Sequence, residues 1–267
     1  MNGQKHQSDA RILSRRTLVR DHQALVALLA PGMHVLDAGC GVGAIAAGIA
    51  AAVGPEGRVV GIDRDLGMIR IAQTQASAVL RFEVSDIIDA PYIGQFDIVT
   101  AARTLQWIAE PARAVTAMVR AAKPGGWVVV LDYNHAANSW MPVPPPEFTV
   151  FYQAFLAWRA SHGWDNQMAD HLPDLFRSAG LLDVTVSDQS EVARPEDPDF
   201  GETTLIWEEV IEKVGARMAE SGFIQAAQLE AASRVYRQWR QSELRCQTLQ
   251  LKAVIGRVAP ADSSPRG

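Results

Sequence analysis

Three acids, Asp37, Asp63 and Asp86, stand at or near the ends of three apolar runs, HVLD, VVGID and RFEVSD. Between the first two lies Gly39-Cys40-Gly41-Val42-Gly43, followed by Ala-rich residues from Ala44 onward. A strand that passes through a glycine turn into a helix leaves backbone N–H groups pointing out of the turn, a cradle for a ligand lying hard against main chain. Glycine is needed because a Cβ would block that approach and because the turn requires positive φ. Two ligand classes use such a cradle. Residues 39–44 fit a loose G-x-G-x-x-A dinucleotide fingerprint, with Asp63 spaced for a ribose hydroxyl. Against a dinucleotide, Asp37 precedes the first glycine by two positions, where it would repel a pyrophosphate. The D-x-G-x-G-x-G alternation suits a smaller, cationic ligand. Three carboxylates at successive strand ends suit a zwitterionic sulfonium that carries a ribose and an adenine.

Taken together, these ordered motifs resemble those of class I S-adenosylmethionine-dependent methyltransferases, of the small-molecule type similar to the ubiquinone and menaquinone biosynthesis enzymes. The resemblance covers residues 35–132 well and 133–258 loosely. It implies that Asp63 accepts hydrogen bonds from the ribose hydroxyls, an ordinary helix-capping Asp being the alternative, with Asp65 the better cap candidate. It implies Arg64 and Met68 as walls for the adenine, Met68 being equally suited to core packing. Asp86 would take the adenine amino group, with the Ile87 backbone N–H on a ring nitrogen. Gly39 and Gly41 would approach the methionine part, Asp37 would orient it or its amine, and the Ala101 carbonyl would face the same amine. Arg103, Gln106 and Trp107 occupy positions that vary with acceptor among relatives. The segment ARTLQW lacks the Asn-Pro-Pro-Tyr-like signature of adenine or glutamine amino-group methylation. His135, three residues beyond the fifth strand, is the candidate general base, and a loop histidine without catalytic duty is the alternative.

The elements that must position these residues follow from periodicity. A helix is expected over 9–30, with Leu18, Leu25, Leu28 and Leu29 as its stripe and Pro31-Gly32 as its end. Strands are expected at 33–37, 58–63, 80–84, 96–100 and 127–132, with helices at 42–53, 65–76 and from Pro111 to Ala122. Lys123-Pro124-Gly125-Gly126 reads as a turn. Runs such as VVV suit a strand buried on both faces. Leu182–Val186 and Leu249–Val258 read as two further strands, which the resemblance makes an antiparallel pair. The expected fold is α/β: a Rossmann-like, seven-stranded, mostly parallel sheet with helices on both faces, plus a helical, aromatic cap insert. The expected division is an N-terminal helical lid over 1–30, a cofactor-binding domain over 31–258 with cap segments 133–173 and 195–245, and a disordered tail over 259–267.

The 133–173 stretch holds three of the seven tryptophans and three of the six histidines. Phe148, Phe151, Tyr152, Phe155 and Leu156 sit at helical spacing, and packing on a sheet is the favoured reading for them. Trp140, Trp158, His162, Trp164 and His171 are expected to line the acceptor side of the cap, with the Arg11–Arg20 helix closing from the other side. Trp140 and Trp164 are the acceptor-binding candidates. On this expectation their truncation spares the fold, whereas a core tryptophan would cost about 3–5 kcal/mol.

Composition narrows the function classes. The 267 residues are 48% hydrophobic and 21% charged, ordinary for a globular protein able to bury a large core. The net charge of −5 argues against a nucleic-acid partner. Arg11, Arg15, Arg16 and Arg20 read as a solvated helical side. No apolar run is long enough to span a bilayer, and the first residues carry no export signal, so a cytoplasmic location is expected. Two cysteines, Cys40 and Cys246, form no metal or disulfide pattern. The reading is thus methyl transfer from S-adenosylmethionine to a small-molecule acceptor. The alternatives are a methyltransferase of the same fold acting on RNA or protein, a NAD-dependent oxidoreductase, and a non-catalytic S-adenosylmethionine-binding protein.

Overall fold

The structure, a computed structural model, describes residues 10–261. These divide into two compact units, the first formed by 10–132, 168–189 and 252–261 and the second by 133–167 and 190–251. The expectations for residues 1–9 and 262–267, the start of the lid and most of the tail, lie outside the described residues.

The chain begins with three short helices, α1 (Ala10–Ser14), α2 (Leu18–Asp21) and α3 (Gln23–Val26), not the one helix expected over 9–30. Local hydrogen bonds explain the break. Thr17 caps α2 by accepting from the Arg20 N–H, and the Thr17 N–H donates to the Asp21 carboxylate at 2.7 Å. That reciprocal capping starts a new helix rather than continuing the old one. Then follow β1 (His34–Ala38), α4 (Ala44–Val53), β2 (Arg58–Asp63), α5 (Leu66–Ala72), β3 (Leu80–Val84), β4 (Phe96–Ala102), α6 (Pro111–Ala121) and β5 (Ala122–Tyr133). The expected Lys123–Gly126 turn is instead part of β5, with a register shift opposite Phe96–Ile98.

The remaining elements are β6 (Ser139–Met141), α7 (Pro146–Ser161), α8 (Met168–Ser178), β7 (Leu182–Asp188), β8 (Glu191–Ala193), α9 (Phe200–Thr203), α10 (Ile206–Glu220), α11 (Ala226–Ser242), β9 (Cys246–Leu249) and β10 (Leu251–Arg257). The strand expected over 249–258 is therefore two strands. Gln250 interrupts the ladder: its N–H donates to Asn138 Oδ1 at 2.8 Å and its carbonyl accepts from the Asn134 N–H at 2.8 Å.

In the first unit the sheet order is β3-β2-β1-β4-β5-β10-β7, with β1, β2, β3, β4 and β5 parallel and β10 antiparallel to β7. Alternation of side chains gives the central strands β1 and β4 two buried faces. Leu36, Val60, Val99 and Val128 pack on one, beside Leu172 and Phe176 of α8. Val35, Val59, Ile98 and Val129 pack on the other, beside Leu18, Leu25 and Ile49. The strand order reverses between β1 and β4, the switch point at which open α/β sheets take their ligands.

The second unit has its own three-stranded sheet, β6-β9-β8, and an aromatic core. Phe148, Phe151, Tyr152 and Phe155 of α7 are buried, as the helical spacing predicts, and Leu156 is half-buried. Trp207, Ile211 and Val214 form the buried face of α10. The cap boundary differs from expectation, because α8, including His171, belongs to the first unit. His171 is exposed there. The tryptophans differ too. Trp158 and Trp164 are buried, with ring centroids 5.4 Å apart in an edge-to-face pair, and His162 stacks on Trp164. Trp140 is half-buried against Phe148, Tyr152 and Trp207, its indole N–H donating to Gln247 at 3.1 Å. Trp158 and Trp164 thus pack in the interior of the second unit, with little of either side chain exposed. Trp164→Ala is accordingly expected to lower unfolding stability by about 3–5 kcal/mol in a urea titration; a parent-like midpoint would return Trp164 to a surface role.

Candidate functional site

The site is built on the carboxyl ends of β1, β2 and β4. Asp37 is 2% exposed, and its Oδ2 has no hydrogen-bond partner among the described residues. Burial, reinforced by the nearby Asp63 charge, raises its pKa to about 7. Asp63 is half-buried at the end of β2, and burial raises its pKa as well. Its two oxygens accept from the Gly41 N–H at 3.0 Å and the Asp65 N–H at 2.9 Å. Each oxygen keeps a further lone pair, enough to accept a ligand hydroxyl. Asp65 caps α5, accepting from the N–H groups of Gly67 and Met68, so capping is not the task left to Asp63.

The glycine turn fits these acids closely. Gly39, Gly41 and Gly43 have φ of 79°, 53° and 83°. A Cβ on Gly39 would lie 2.3 Å from Thr104 Cγ2, and one on Gly43 would lie 2.6 Å from the Phe82 ring. Neither position admits a side chain. Cys40, between them, has its thiol pKa raised by burial and then by the Asp37 and Asp63 charges, so it is no nucleophile. Asp63 held on main-chain N–H groups beside Asp37 with its orphaned oxygen suits a ligand that brings both positive charge and hydroxyls. A dinucleotide pyrophosphate brings the opposite charge.

The other expected cofactor contacts occupy varied settings. Arg64 is exposed and Met68 half-buried. Asp86 is half-buried, its Oδ1 accepting from the Ile88 N–H at 3.0 Å, and Ile87 is buried beside it. Ala101 is fully buried within β4.

The acceptor-side residues expected after β4 are held by bonds to neighbouring residues. Arg103 is 5% exposed and donates through Nη1 to the Asp21 carbonyl at 3.1 Å, with the Asp21 carboxylate 3.8 Å from Nη2. Its φ of 57° is uncommon outside glycine, and its N–H is anchored on the Leu131 carbonyl. Gln106 is 2% exposed, its amide donating to the Arg103 carbonyl and its N–H to Asp132 Oδ2. Trp107 is half-buried in a short 3-10 turn over Leu105–Trp107. Arg103 and Gln106 are thus both buried and bonded to neighbouring residues. In the second unit, His135 is buried, stacked on Tyr133 and edge-on to Phe155, and its carbonyl accepts from the Tyr152 hydroxyl.

Four residues escaped the sequence reading. Asp132, fully buried at the end of WVVVLD, carried the same strand-end signal as Asp37 and Asp63. Asp21, His22 and Thr100 carried none, because their meeting depends on the break between α2 and α3.

Two outcomes test the arrangement. Asp63→Ala is expected to weaken S-adenosylmethionine binding by about 2–4 kcal/mol in calorimetry, since hydrogen bonds to a charged acceptor are lost; equal affinity would remove the ribose assignment. Asp37 has the raised pKa, so its ionised form gains population as pH rises through about 7. Affinity for S-adenosylhomocysteine, which carries an ammonium, is therefore expected to tighten about tenfold from about pH 6 to about pH 8. Asp37→Asn should flatten that dependence, and a flat profile in the parent would refute the role of Asp37.

Comparison with known proteins bears on the family and the fold. Residues 29–168, just over half of the chain, match the family described as "Methyltransferase domain". A demethylmenaquinone methyltransferase from Symbiobacterium thermophilum is 27% identical over 179 residues, covering 58% of this chain and 70% of that protein. A trans-aconitate 2-methyltransferase from Deinococcus radiodurans is 28% identical over 176 residues, covering 64% of this chain and 67% of that one. Among solved structures, a Haemonchus contortus phosphoethanolamine N-methyltransferase 2 bound to S-adenosylhomocysteine and phosphomonomethylethanolamine has the same fold, with TM-score 0.56 and 18% identity. That match covers 90% of this chain and 52% of the other, so this chain spans about half the length of that protein. An Aquifex aeolicus SAM-dependent methyltransferase aligns with TM-score 0.53 and 15% identity over 95% of this chain and 100% of its own. The chain belongs to the methyltransferase-domain family and is a class I S-adenosylmethionine-dependent methyltransferase.

Proposed function

We propose that the chain transfers the sulfonium methyl group of S-adenosylmethionine to a small-molecule acceptor, in the cytoplasm and without a nucleic-acid partner. The observation that carries the cofactor half is the orphaned Asp37 carboxylate beside Asp63, which asks for a cation bearing hydroxyls. The acceptor half is supported by the small molecules named for the relatives, demethylmenaquinone and trans-aconitate. The acidic balance of −5 supports the absence of a nucleic-acid partner. No helix among the described residues is long and apolar enough to cross a membrane.

S-adenosylmethionine supplies a methyl group already activated by its sulfonium. The protein therefore has to hold the nucleophile in line, exclude water and, for a hydroxyl or acidic-carbon acceptor, remove a proton. His135 is the proposed base. Burial, and then the Arg159 charge, hold its pKa well below the usual 6.5, so the ring is neutral at neutral pH. Trp140 remains the proposed acceptor contact in the second unit, since part of its ring is exposed.

Calorimetry with S-adenosylmethionine, then a radiolabelled-methyl screen of small-molecule pools, RNA and protein, tests the function; label appearing in RNA or protein alone would overturn the proposal. For the base, His135→Ala is expected to cut kcat by about 10²–10⁴ while leaving cofactor affinity unchanged. Because the lowered pKa preserves the neutral ring as pH falls, the parent's kcat should be lost only well below pH 6.5. An acid limb at or above that pH, or full turnover in the variant, counts against His135.

A further inference from the structure

A second orphaned acceptor lies on the same side of the sheet as Asp37. His22, between α2 and α3, is fully buried, and its Nε2 is 2.8 Å from Thr100 Oγ1. Thr100 Oγ1 also lies 3.0 Å from the Val129 carbonyl, a ready acceptor for its single hydrogen. With the hydroxyl hydrogen on that carbonyl, the hydroxyl oxygen accepts from the imidazole and the hydrogen of the neutral ring sits on Nε2. Nδ1 is left as a bare lone pair, and it has no hydrogen-bond partner among the described residues. Protonation does not relieve it: burial, and then the Arg103 charge, lower the His22 pKa to about 3.

Thr100 pairs with Asp37 in the parallel register of β1 and β4, so their side chains leave the sheet on one face. That face is the one covered by Leu18 and Leu25 from the helices flanking His22. Asp37, with its unpartnered Oδ2, is thus the cross-strand neighbour of Thr100, the residue that holds His22, with its unpartnered Nδ1. The charged groups about them are Asp63 beside Asp37, and Arg103 with its partner Asp21 beside His22. An anchor that only tied the N-terminal segment to the sheet would need the Nε2 bond alone. It would leave Nδ1 dry, which is unfavourable for a buried acceptor.

We propose that His22 Nδ1 and the Asp37 carboxylate together receive the α-ammonium of the methionine part of S-adenosylmethionine, which makes His22 a cofactor-binding residue. An ammonium carries three donors and one positive charge, and satisfies both acceptors at once. The inference rests on the cofactor site described above.

The test separates the ammonium from the rest of the ligand. Calorimetry compares S-adenosylhomocysteine with 5′-S-(3-carboxypropyl)-5′-thioadenosine, the same thioether without its amino group. His22→Phe keeps the ring volume and removes both nitrogens. It is expected to weaken S-adenosylhomocysteine by about 10- to 100-fold and the des-amino analogue by less than about twofold. Equal weakening of both ligands, or of neither, overturns the proposal and leaves His22 a structural anchor. A parent protein that binds neither ligand overturns the cofactor site itself, and this inference with it. Should His22→Phe fail to fold, ¹⁵N NMR of the parent decides. The expected result is an Nε2–H tautomer whose Nδ1 resonance moves on adding S-adenosylhomocysteine and stays in place with the analogue. The opposite tautomer, or identical shifts with both ligands, overturns the proposal.

Discussion

Everything at the switch point depends on a carboxylate buried where it cannot satisfy itself. Asp37 ends β1 with an orphaned oxygen, and the only charge that shifts its pKa is the like charge of Asp63. Isolated buried anions are costly enough that they neutralise or find a cation. Asp63 is relieved by two backbone N–H groups, and those come from the glycine turn and from the start of α5. The turn can supply its N–H only because its glycines accept positive φ. Beneath it, Gly43 and Gly61 leave room for Phe82, whose ring would lie within 2.6 Å of a Cβ on either. Loop geometry, core packing and ligand charge are therefore a single constraint.

The segment ahead of β1 answers a related constraint. Arg103 is held in left-handed backbone geometry with its guanidinium on Asp21, both nearly out of solvent. A buried pair of this kind is weak evidence for stability, since desolvation offsets much of the attraction. What it does fix is position, because the Asp21 carboxylate also binds the Thr17 N–H that starts α2. The helix break, the arginine and the placement of His22 next to Thr100 belong to one network.

The second unit is stabilised differently. Its interior is a chain of aromatic contacts running from Trp140 through Phe148, Tyr152, Phe155 and Trp207 to Tyr236, with ring centroids 4.4 to 6.2 Å apart along it. Rings at such separations gain contact area and favourable quadrupole geometry together. Buried polar groups are bound into it: the Tyr236 hydroxyl donates to the Thr204 carbonyl, and Arg159 Nε donates to Asn166 Oδ1 at 2.8 Å.

Local signals carried far into this fold. The alternation of Val-rich runs with glycine turns and amphipathic helices prescribes parallel strands buried on both faces, because only that pattern hides such strands from water. The strand-end acids and the D-x-G-x-G-x-G spacing named the cofactor class, since charge at a strand end and glycine at positive φ are both local properties. What local pattern could not decide was where the chain stops repeating itself. Gln250 divides one apolar run between two sheets through hydrogen bonds to Asn134 and Asn138, more than a hundred residues away. Thr17 and Asp21 break a periodic leucine stripe into short helices. Trp164 and Trp158 meet edge to face in the interior of the second unit, a pairing no periodicity records. His22 gained its meaning only from Thr100, seventy-eight residues on. Periodicity records which face of an element is apolar; which partner covers that face, and which polar atom is left without one, is settled by tertiary packing.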